Sequence, residues 1–389
     1  VNNLNFDRSL EILNEAKKSL AGGVNSKIRE PHAPHPLFME KAKGSHIWDV
    51  DGNEFIDTLM GFGPIILGYC DPKVNSAVQE QLNKGSIFGM SNELEYKVTE
   101  KIVKAIPSGD LAFASNTGSE ATQMAIRMAR AYTGKEKIIK FEGVWHGWLD
   151  WCLVDTTYET TGFWYPHGGS QIAPIMTFGE PGIPKNVIDN LIVLPWNDIV
   201  SVEKTVERFS SEIAAIIIEP IGPAGGIMPY DGYIDSIRKI TKENDMLMIL
   251  DEVKTGFRLA FGGAQELYGI DPDISTFAKA IANGFPMAAV TGKKKYMDII
   301  SQGITGHAGT FNGNPISMAA SLATLTELEK PNKYDYLYKL TKKLSRGLKD
   351  GISDSQARAL LVGPGSNENK PGPILDIYFT DLETVKDQR

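Results

Sequence analysis

The chain has 389 residues, of which 42% are hydrophobic and 23% are charged, the balance of an ordinary globular protein. This composition excludes disordered and fibrous classes, and at roughly 150 residues per domain the length predicts two or three domains. With 48 acidic and 40 basic residues the net charge is −8, and no basic block is longer than residues 293–295. Nucleic-acid binding is therefore not expected.

Apolar runs such as residues 213–218 are far below the roughly 18 residues that a membrane span needs, and the first residues lack the pattern of a signal peptide. We therefore expect a cytoplasmic protein with no membrane partner. The two cysteines, Cys70 and Cys152, cannot build a disulfide framework or a thiolate metal site, and no His/Cys/Asp cluster has metal-ligand spacing. No metal is expected.

The first part of the chain is predicted to be a helix, a small meander and two further helices. Apolar residues recur at helical spacing over residues 7–20 and give way to an alternating pattern over residues 36–59. Turn pairs at 43–44 and 51–52 divide that second stretch into short antiparallel strands. Residues 72–84 and 92–106 then read as helices, the first of them after an Asp-Pro start signal.

Beyond Leu111 short apolar runs without alternation recur between helical patterns, including those of residues 120–132 and 233–243. Such runs predict a parallel sheet covered by helices on both faces. Residues 156–185 show no period and are interpreted as a long functional loop. A helix is predicted from Pro315 to Glu329, and the rest is weakly patterned. The predicted strands have the sequences LAFAS, KIIKF, IAAIIIE, LMILDE and ISTFA.

Four polar or aromatic features come just after strand-like runs, at the sheet edge where ligands bind in open α/β folds. The first is the turn at residues 115–120, whose small residues would let the start of a helix hold a phosphate. The second is the carboxylate of Asp251, and the third is Lys279, an amine flanked by alanines and thus a candidate for imine chemistry. The fourth is the aromatic ring of Trp145.

Each feature alone has a plain structural explanation, such as a helix cap, a salt bridge, a solvated lysine or a packing tryptophan. Together they supply a phosphate cradle, an aromatic plate, a carboxylate for a ring nitrogen and an amine for an aldehyde. Those are the parts needed to hold pyridoxal phosphate. The glycine patterns of nucleotide-binding loops are absent, which makes a dinucleotide-dependent oxidoreductase a poor reading.

Around these residues the sequence resembles the class III pyridoxal-phosphate aminotransferases of fold type I, in particular the subgroup that contains glutamate-1-semialdehyde 2,1-aminomutase. The likeness extends from about residue 22 to about residue 323. It implies an α/β fold with a large domain built on a mostly parallel, seven-stranded sheet covered by helices. A small α+β domain would come from both chain ends. The matching stretches include NTGSEATQMAIRMARAYTGKEKIIKFEGVWHG, LDEVKTGFRLAFGGAQELYGIDPD and GTFNGNPISMAAS.

The resemblance implies domain boundaries and a dimer. Residues 1–60 and 306–389 would form the small domain, and residues 61–305 the large cofactor-binding domain. Family chains usually continue for several tens of residues past a segment like 373–379, so this small domain is expected to be shorter. Thr310 would complete the phosphate site of the neighbouring subunit, so the resemblance implies a homodimer.

The resemblance also assigns roles around the cofactor. Lys279 would bond to its aldehyde and then move a proton, and Asp251 would keep its ring nitrogen protonated. Trp145 would stack on the ring, where the subgroup usually has tyrosine, and Val253 would pack on the opposite face. Gly118 and Ser119 would bind the phosphate.

Two residues near these positions remain open between a supporting role and a structural one. His146 follows the stacking position and either touches the site or is an ordinary hydrogen-bonded histidine. Glu219, at its strand end, either supports Asp251 or the ring hydroxyl, or caps a neighbouring element.

On the substrate side Arg29 matches an arginine that binds a substrate carboxylate. Phe62 stands where aminomutases usually have tryptophan, and Ala224 where they have asparagine. The segment from Thr161 to Thr177 also looks longer and more aromatic than the aminomutase loop, with Phe163, Trp164, Tyr165 and His167. These departures shift the expected function toward an aminotransferase.

The expected function is thus an aminotransferase that moves an amino group between an α- or β-amino acid and a keto acid or aldehyde. The alternative is glutamate-1-semialdehyde 2,1-aminomutase, in which one carbon skeleton is both acceptor and donor and the product is 5-aminolevulinate. Another reaction on the same fold, such as decarboxylation or racemisation, would retain Lys279 and Asp251. A non-catalytic scaffold would have no need to retain them.

Overall fold

A seven-stranded mixed sheet forms the centre of the molecule. The structure is a computed structural model that describes residues 4–30, 33–154, 182–223, 226–355, 357–366 and 372–386. The spatial order of the sheet is β4-β10-β9-β8-β7-β5-β6. Its strands in chain order are β4 (Leu111–Ser115), β5 (Lys137–Phe141), β6 (Leu191–Leu194), β7 (Ile213–Ile218), β8 (Leu247–Asp251), β9 (Ile274–Phe277) and β10 (Ala288–Gly292).

The strands of this sheet are parallel except for β10, which pairs antiparallel with both β4 and β9. The predicted mostly parallel sheet is thus confirmed. The sequence reading did not identify β6 or β10. Both are short, and β10 has the sequence AAVTG, whose small residues give little apolar signal.

Helices cover both faces of the sheet, which explains why its inner strands are continuous apolar runs. Neighbouring side chains of one strand point to opposite faces, so Ile138 belongs to one buried cluster and Ile139 to another. The helices are α1 (Asp7–Ala16), α2 (Pro72–Leu82), α3 (Glu93–Ala105), α4 (Gly118–Thr133), α5 (Lys185–Asp189), α6 (Ile199–Phe209), α7 (Tyr233–Glu243), α8 (Gly263–Tyr268), α9 (Lys294–Ser301), α10 (Pro315–Leu328) and α11 (Lys333–Asp354).

The two chain ends build smaller sheets. Near the N-terminus β1 (Met39–Lys43), β2 (His46–Asp49) and β3 (Glu54–Ile56) form the predicted antiparallel meander. Toward the C-terminus β11 (Ala359–Val362) pairs with β12 (Asp376–Phe379).

Two expectations about helices at the chain ends were wrong. Helix α1 stops at Ala16, four residues before the expected end, because the chain continues in turns up to the glycines. The segment after α10 is not weakly structured: it contains α11, a helix of 22 residues. Helix α11 is mostly exposed, but Tyr334, Leu337, Tyr338 and Leu348 recur along it at helical spacing, a pattern that the sequence prediction overlooked.

The predicted loop over residues 156–185 falls mostly outside the described residues, and its last residue begins α5. No helix in the described part of the chain is long and apolar enough to cross a membrane.

The carboxyl ends of the parallel strands place the polar features together. β7, β8 and β9 are neighbours: Glu219 directly follows β7, Asp251 is the last residue of β8, and Lys279 is the second residue after β9. At the same edge β4 leads into α4, and β5 leads into the Trp145 loop. The order of the strands therefore brings to one edge residues that are far apart in the sequence.

Close packing beside this edge gives a stability prediction. A Cβ atom added at Gly222 would lie 2.2 Å from Cε2 of Trp196, a fully buried ring. We expect Gly222→Ala to lower the free energy of unfolding by about 1–3 kcal/mol, because the ring has no space into which it can shift. Denaturant unfolding of the purified variant measures this change.

Gly347→Ala is the matched control, since nothing lies within 4 Å of the Cβ that it adds in exposed helix α11. That control should be neutral or slightly stabilising. Equal stability of the wild type and Gly222→Ala would show that Trp196 does not pack closely against Gly222.

Candidate active site

The carboxylate of Asp251 lies buried at the end of β8 and is held at both oxygens. Its Oδ1 accepts a hydrogen bond from the backbone N–H of Val253 and another from the Thr276 hydroxyl, each at 3.0 Å. Its Oδ2 lies 2.6 Å from Nδ1 of His146. A buried carboxylate is costly unless it meets donors or a cation, and here three donors fix its position.

His146 is in direct contact with the carboxylate of Asp251. Its ring is fully buried against Asp251, and its backbone carbonyl accepts a hydrogen bond from the Thr122 hydroxyl at 2.7 Å. Its Nε2 atom is buried and has no hydrogen-bond partner among the described residues. The contact with Asp251 favours the supporting role for His146 over an ordinary structural one.

Lys279 begins the turn after β9 in a left-handed backbone conformation, with a φ of 51°. Such a φ costs about 1 kcal/mol or more for a residue other than glycine and is typical of functional positions. Burial lowers the pKa of its amine from 10.5 to about 8, and the positive charge of Lys254 adds to this effect. An amine with this pKa is neutral in a useful fraction at physiological pH, as nucleophilic and basic lysines must be.

The start of α4 forms the predicted anion-binding turn. Thr117 caps the helix, and its hydroxyl accepts the N–H of Glu120, while Gly118 and Ser119 occupy the first helical positions. The N–H groups of those two positions have no intrahelical acceptor and are available to a phosphate. The Ser119 hydroxyl accepts the N–H of Trp148 at 3.2 Å, which ties the turn to the loop after β5.

Glycines allow these elements to approach closely. A Cβ atom on Gly147 would lie 2.4 Å from the Ser119 Oγ atom, and the residue has a φ of 111°. A Cβ atom on Gly118 would lie 3.2 Å from both Cγ atoms of Val253 and 3.7 Å from Cβ of Ala278. The anion-binding turn, Val253 beyond the end of β8 and Ala278 before Lys279 are therefore closely packed.

Trp145 and Glu219 complete this edge. Trp145 is half-buried in the loop that leads to His146. Glu219 is fully buried, and its carboxylate forms an ion pair with Lys254 at 2.8 Å. Burial raises the pKa of Glu219, whereas the Lys254 ammonium acts in the opposite direction.

Phe62 belongs to a strained turn beside Lys279. Met60, Gly61, Phe62 and Gly63 have φ values of 52°, 62°, 66° and 101°. A Cβ atom on Gly63 would lie 3.6 Å from Cδ of Lys279, so this turn reaches the lysine side chain. The buried guanidinium of Arg258 donates a hydrogen bond to the Gly63 carbonyl and holds the turn in place.

Two predicted residues are exposed. Arg29 lies in a 3-10 turn over Lys27–Arg29. Thr310 lies in the segment before α10, where the amide of Asn116 donates to Oδ1 of Asn312 at 3.0 Å. The roles of both stay predictions. Outside the described residues lie Ala224 and the segment 161–177, which contains Phe163, Trp164, Tyr165 and His167.

The sequence reading missed three residues of the site: Thr276, Lys254 and Arg258. Thr276 is two residues before Ala278 in a buried strand, where a hydroxyl looks like an ordinary packing residue. Lys254 and Arg258 lie within the matching stretch LDEVKTGFRL and could have been noted as cations that follow a buried strand end. Within the described ranges, no group of three or more His, Cys, Asp or Glu side chains could hold a metal ion.

Comparison with known proteins defines the class of this site. The chain matches the family model Aminotransferase class-III over residues 28–361. The chain therefore belongs to the class III aminotransferase family. It is an enzyme of the transaminase or aminomutase kind, and its cofactor is pyridoxal phosphate.

Individual proteins that the chain resembles include both kinds of enzyme. It is 42% identical to glutamate-1-semialdehyde 2,1-aminomutase of Persephonella marina over 98% of this chain and 86% of the relative. An omega-transaminase from Sphaerobacter thermophilus has a similar fold, with a TM-score of 0.88, 31% identity and coverage of 96% of this chain and 83% of that one. A transaminase with the cofactor bound superposes with a TM-score of 0.85, at 26% identity and coverage of 92% and 82%.

The residues present fit the cofactor. The buried Asp251 carboxylate provides a negative charge for a protonated ring nitrogen, and the free N–H groups at Gly118 and Ser119 suit a phosphate. The amine of Lys279, with its lowered pKa, suits an aldehyde.

The close contact between Gly147 and Ser119 predicts a specific defect in cofactor binding. Gly147→Ala places a Cβ atom against Ser119 and strains a φ of 111°, so the anion-binding turn must move. We expect pyridoxal phosphate to bind about tenfold more weakly, because one misplaced charge-assisted hydrogen bond is worth about 1.5 kcal/mol. Fluorescence titration of the cofactor-free protein measures the affinity.

Gly347→Ala again serves as the control and should bind the cofactor as the wild type does. An unchanged affinity in a folded Gly147→Ala variant would separate this glycine from the phosphate site.

Proposed function

We propose that the enzyme is a glutamate-1-semialdehyde 2,1-aminomutase, which transfers an amino group between two carbons of one substrate. The observation that carries this proposal is the 42% identity to the Persephonella marina aminomutase, which extends over 98% of the chain. The buried constellation of Lys279, Asp251 and His146 supports the underlying amino-transfer chemistry.

Lys279 is the proposed catalytic residue. When bound, pyridoxal phosphate supplies an aldehyde that accepts the amine and a ring that accepts the electrons left by a removed proton. Nζ of Lys279 would anchor the cofactor and then carry a proton between the substrate carbon that bears the amino group and the aldehyde carbon of the cofactor. Its lowered pKa suits both roles, because a neutral amine is a nucleophile and a base.

Asp251 and His146 would keep the ring nitrogen of the cofactor protonated. The hydrogen bonds from Val253 and Thr276 hold one carboxylate oxygen, and His146 orients the other. These donors fix the orientation of the carboxylate, which suits it to pair with a cationic nitrogen. Glu219 would act at a greater distance, through its ion pair with Lys254.

The remaining cofactor contacts are proposed from position. Gly118 and Ser119 would bind the phosphate with the N–H groups at the start of α4. Val253 touches Gly118 and would pack on one face of the ring, opposite Trp145. Phe62 would border the substrate beside Lys279, and Arg29 would bind a substrate carboxylate.

Intermolecular amino transfer between an amino acid and a keto acid or aldehyde is the second candidate. The likeness to the Sphaerobacter thermophilus omega-transaminase favours it, as does Phe62 in the turn that touches Lys279. A phenylalanine lacks the N–H donor of the tryptophan that the sequence resemblance leads one to expect there. The two candidates differ in whether a second substrate is needed.

A single-substrate assay separates the two candidates. We expect purified enzyme, given glutamate-1-semialdehyde alone, to form 5-aminolevulinate with no added amino donor or acceptor, because donor and acceptor atoms belong to one skeleton. Chromatographic detection of the product over time measures this conversion.

A panel of amino acids, including β-amino acids, paired with keto acids forms the opposing arm of the assay. Conversion confined to those pairs, with none from the semialdehyde, would exclude the aminomutase and favour the transaminase. Lys279→Ala should be inactive in both arms and identifies background reaction.

We also propose that residues 1–60 and 306–389 form a small domain on a large domain of residues 61–305. The chain ends carry their own small sheets, β1–β3 and β11–β12, apart from the central sheet. Gly226 marks a contact between the two parts, since its Cβ atom would lie 2.9 Å from Val362 and 3.1 Å from Cβ of Asp376.

A homodimer is proposed as the working unit. The Asn92 amide donates to the Gly313 carbonyl at 3.1 Å, so the loop before α3 and the segment before α10 lie side by side. Both carry exposed apolar side chains: Phe88 is 50% exposed, Met90 85% and Phe311 60%. Exposed apolar side chains of this size in adjoining loops favour an interface, and Thr310 lies among them.

Hybrid dimers test whether Thr310 serves the partner's site. Lys279→Ala and Thr310→Val subunits with different tags are co-expressed, and the mixed dimers are isolated. Each mixed dimer then contains one site that combines an intact Lys279 with a Thr310 from the other subunit. We expect the mixed dimer to have about half the wild-type activity per dimer, while both parent dimers are impaired.

Activity of the mixed dimer no higher than half that of the Thr310→Val parent would place Thr310 in its own subunit's site. A fully active monomer in dilute solution, measured by sedimentation, would remove the dimer from the proposal.

A further inference from the structure

A second lysine lies at the strand ends beside Lys279. Lys254 follows Asp251 by three residues, and its ammonium lies 2.8 Å from Oε2 of Glu219. The Glu219 side chain is 2% exposed and that of Lys254 21%. The pair is thus formed between a buried carboxylate and a mostly buried ammonium, at the edge where the proposed cofactor contacts meet.

Strand register places this ion pair next to the reacting amine. Ile218 pairs with Leu250, so Glu219 and Asp251 are the next residues along β7 and β8. Asp251 in turn pairs with Thr276, three residues before Lys279. Adjacent strands are about 4.8 Å apart, so the ends of β7 and β9 lie about 10 Å apart with the end of β8 between them.

Four charged side chains act on the Lys279 amine. Lys254 and Arg258 disfavour its protonated form, whereas Glu219 and Asp251 favour it. Lys254 has the largest effect of the four, second to burial itself.

Further groups face the members of the ion pair. His146 and Asp251 also act on Glu219, and Asp376 of β12 senses the charge of Lys254. The amine of Lys279 therefore responds to a balance of charges in which Lys254 and Glu219 have opposite signs.

We propose that Lys254 is a positioning residue for the reaction, whose charge favours the neutral form of the Lys279 amine, and that Glu219 limits its effect by pairing with it. The inference rests on the proposed role of Lys279 as the reacting amine. A neighbouring ammonium repels a proton on Lys279, and a low-dielectric site strengthens that repulsion. The Glu219 carboxylate fixes the position of the Lys254 ammonium and screens part of its charge.

The proposal predicts opposite effects for the two partners. In Lys254→Met the repelling charge is lost, so Lys279 holds its proton more tightly. In Glu219→Gln the Lys254 charge loses the opposing charge of Glu219, so Lys279 loses its proton more readily. An ion pair too far from Lys279 to act on its amine would leave the labelling of Lys279 unchanged in both variants.

The test is competitive labelling of lysines with trace acetic anhydride from pH 6 to 10, on the full-length protein after the cofactor has been removed. Only neutral amines react, and mass spectrometry of the Lys279 peptide gives its relative rate. Lys342, which is exposed on α11, provides the internal reference. The readout needs neither cofactor nor substrate.

For the wild type we expect an inflection near pH 8. Lys254→Met should label Lys279 about tenfold more slowly at pH 7, which corresponds to one pH unit. Lys254→Arg, which retains the charge, should stay within about twofold of the wild type. Glu219→Gln should label faster, and the double variant Lys254→Met/Glu219→Gln should lie between the two single variants.

An unchanged inflection in Lys254→Met, or an equal shift in Lys254→Arg, would overturn the proposal. So would shifts of the same sign in Lys254→Met and Glu219→Gln. If Lys254→Met does not fold, the double variant is compared with Glu219→Gln, because the Glu219 carboxylate is absent from both. Lys279 must then label more slowly in the double variant, and equal rates would overturn the proposal.

The labelling of Lys279 tests this inference independently of the proposed function. Labelling that follows the expected order in a protein that does not convert glutamate-1-semialdehyde would refute the aminomutase and leave the inference intact. Conversion of the semialdehyde by the wild type, combined with unchanged labelling in Lys254→Met, would refute the inference alone.

Discussion

The structure of the site depends on one buried carboxylate. Asp251 ends the central strand β8 at a point where solvent cannot reach its charge, and the surrounding chain is arranged to hold that charge. The backbone of Val253, the hydroxyl of Thr276 and the ring of His146 all point at it. Each donor comes from a different part of the fold, so the carboxylate fixes β9 and the loop after β5 relative to β8. The remaining site residues follow from that arrangement.

The charges at this edge act together, because they lie in a largely apolar interior. Burial pushes the pKa of Glu219 up and that of Lys279 down, and each shift is modified by Lys254. Such an arrangement separates the tasks of neighbouring ionisable groups: one carboxylate partners a ring nitrogen, another restrains a cation, and the amine is free to react. The strained turn at residues 60–63 also reaches the Lys279 side chain and is held by Arg258.

Sequence patterns were sufficient to predict most of the central sheet and the site residues that lie at the ends of its strands. Short apolar runs such as IAAIII, between helical patterns, predict buried strands of a parallel sheet. Asp251 and Lys279 come at the ends of such runs. Strand β10 could not be found in this way, because its small residues leave no pattern and its direction depends on the partners β4 and β9. Helix α11 was detectable, because apolar residues recur along it at helical spacing, but the sequence prediction overlooked that pattern.

Contacts that cross between elements were equally hidden from the sequence. Nothing in the spacing of Thr276 and Asp251 shows that a hydroxyl from one strand meets a carboxylate on the next, since register is a property of the folded sheet. The Lys254–Glu219 pair joins two strand ends for the same reason. The sequence was enough to predict which single residues could be reactive or charged, whereas the pairing of those charges could be seen only in the folded structure.

The fit of Gly147 against Ser119 links two parts of the site that have separate roles. The loop that presents Trp145 and His146 cannot move toward the start of α4, because no space remains between them, and the N–H of Trp148 joins them. The phosphate and ring contacts of the cofactor would therefore be set by one rigid body rather than by two adjustable loops. Changes in substrate preference within this framework must then arise on other sides of the pocket, where the chain is free to vary without disturbing how the cofactor is seated.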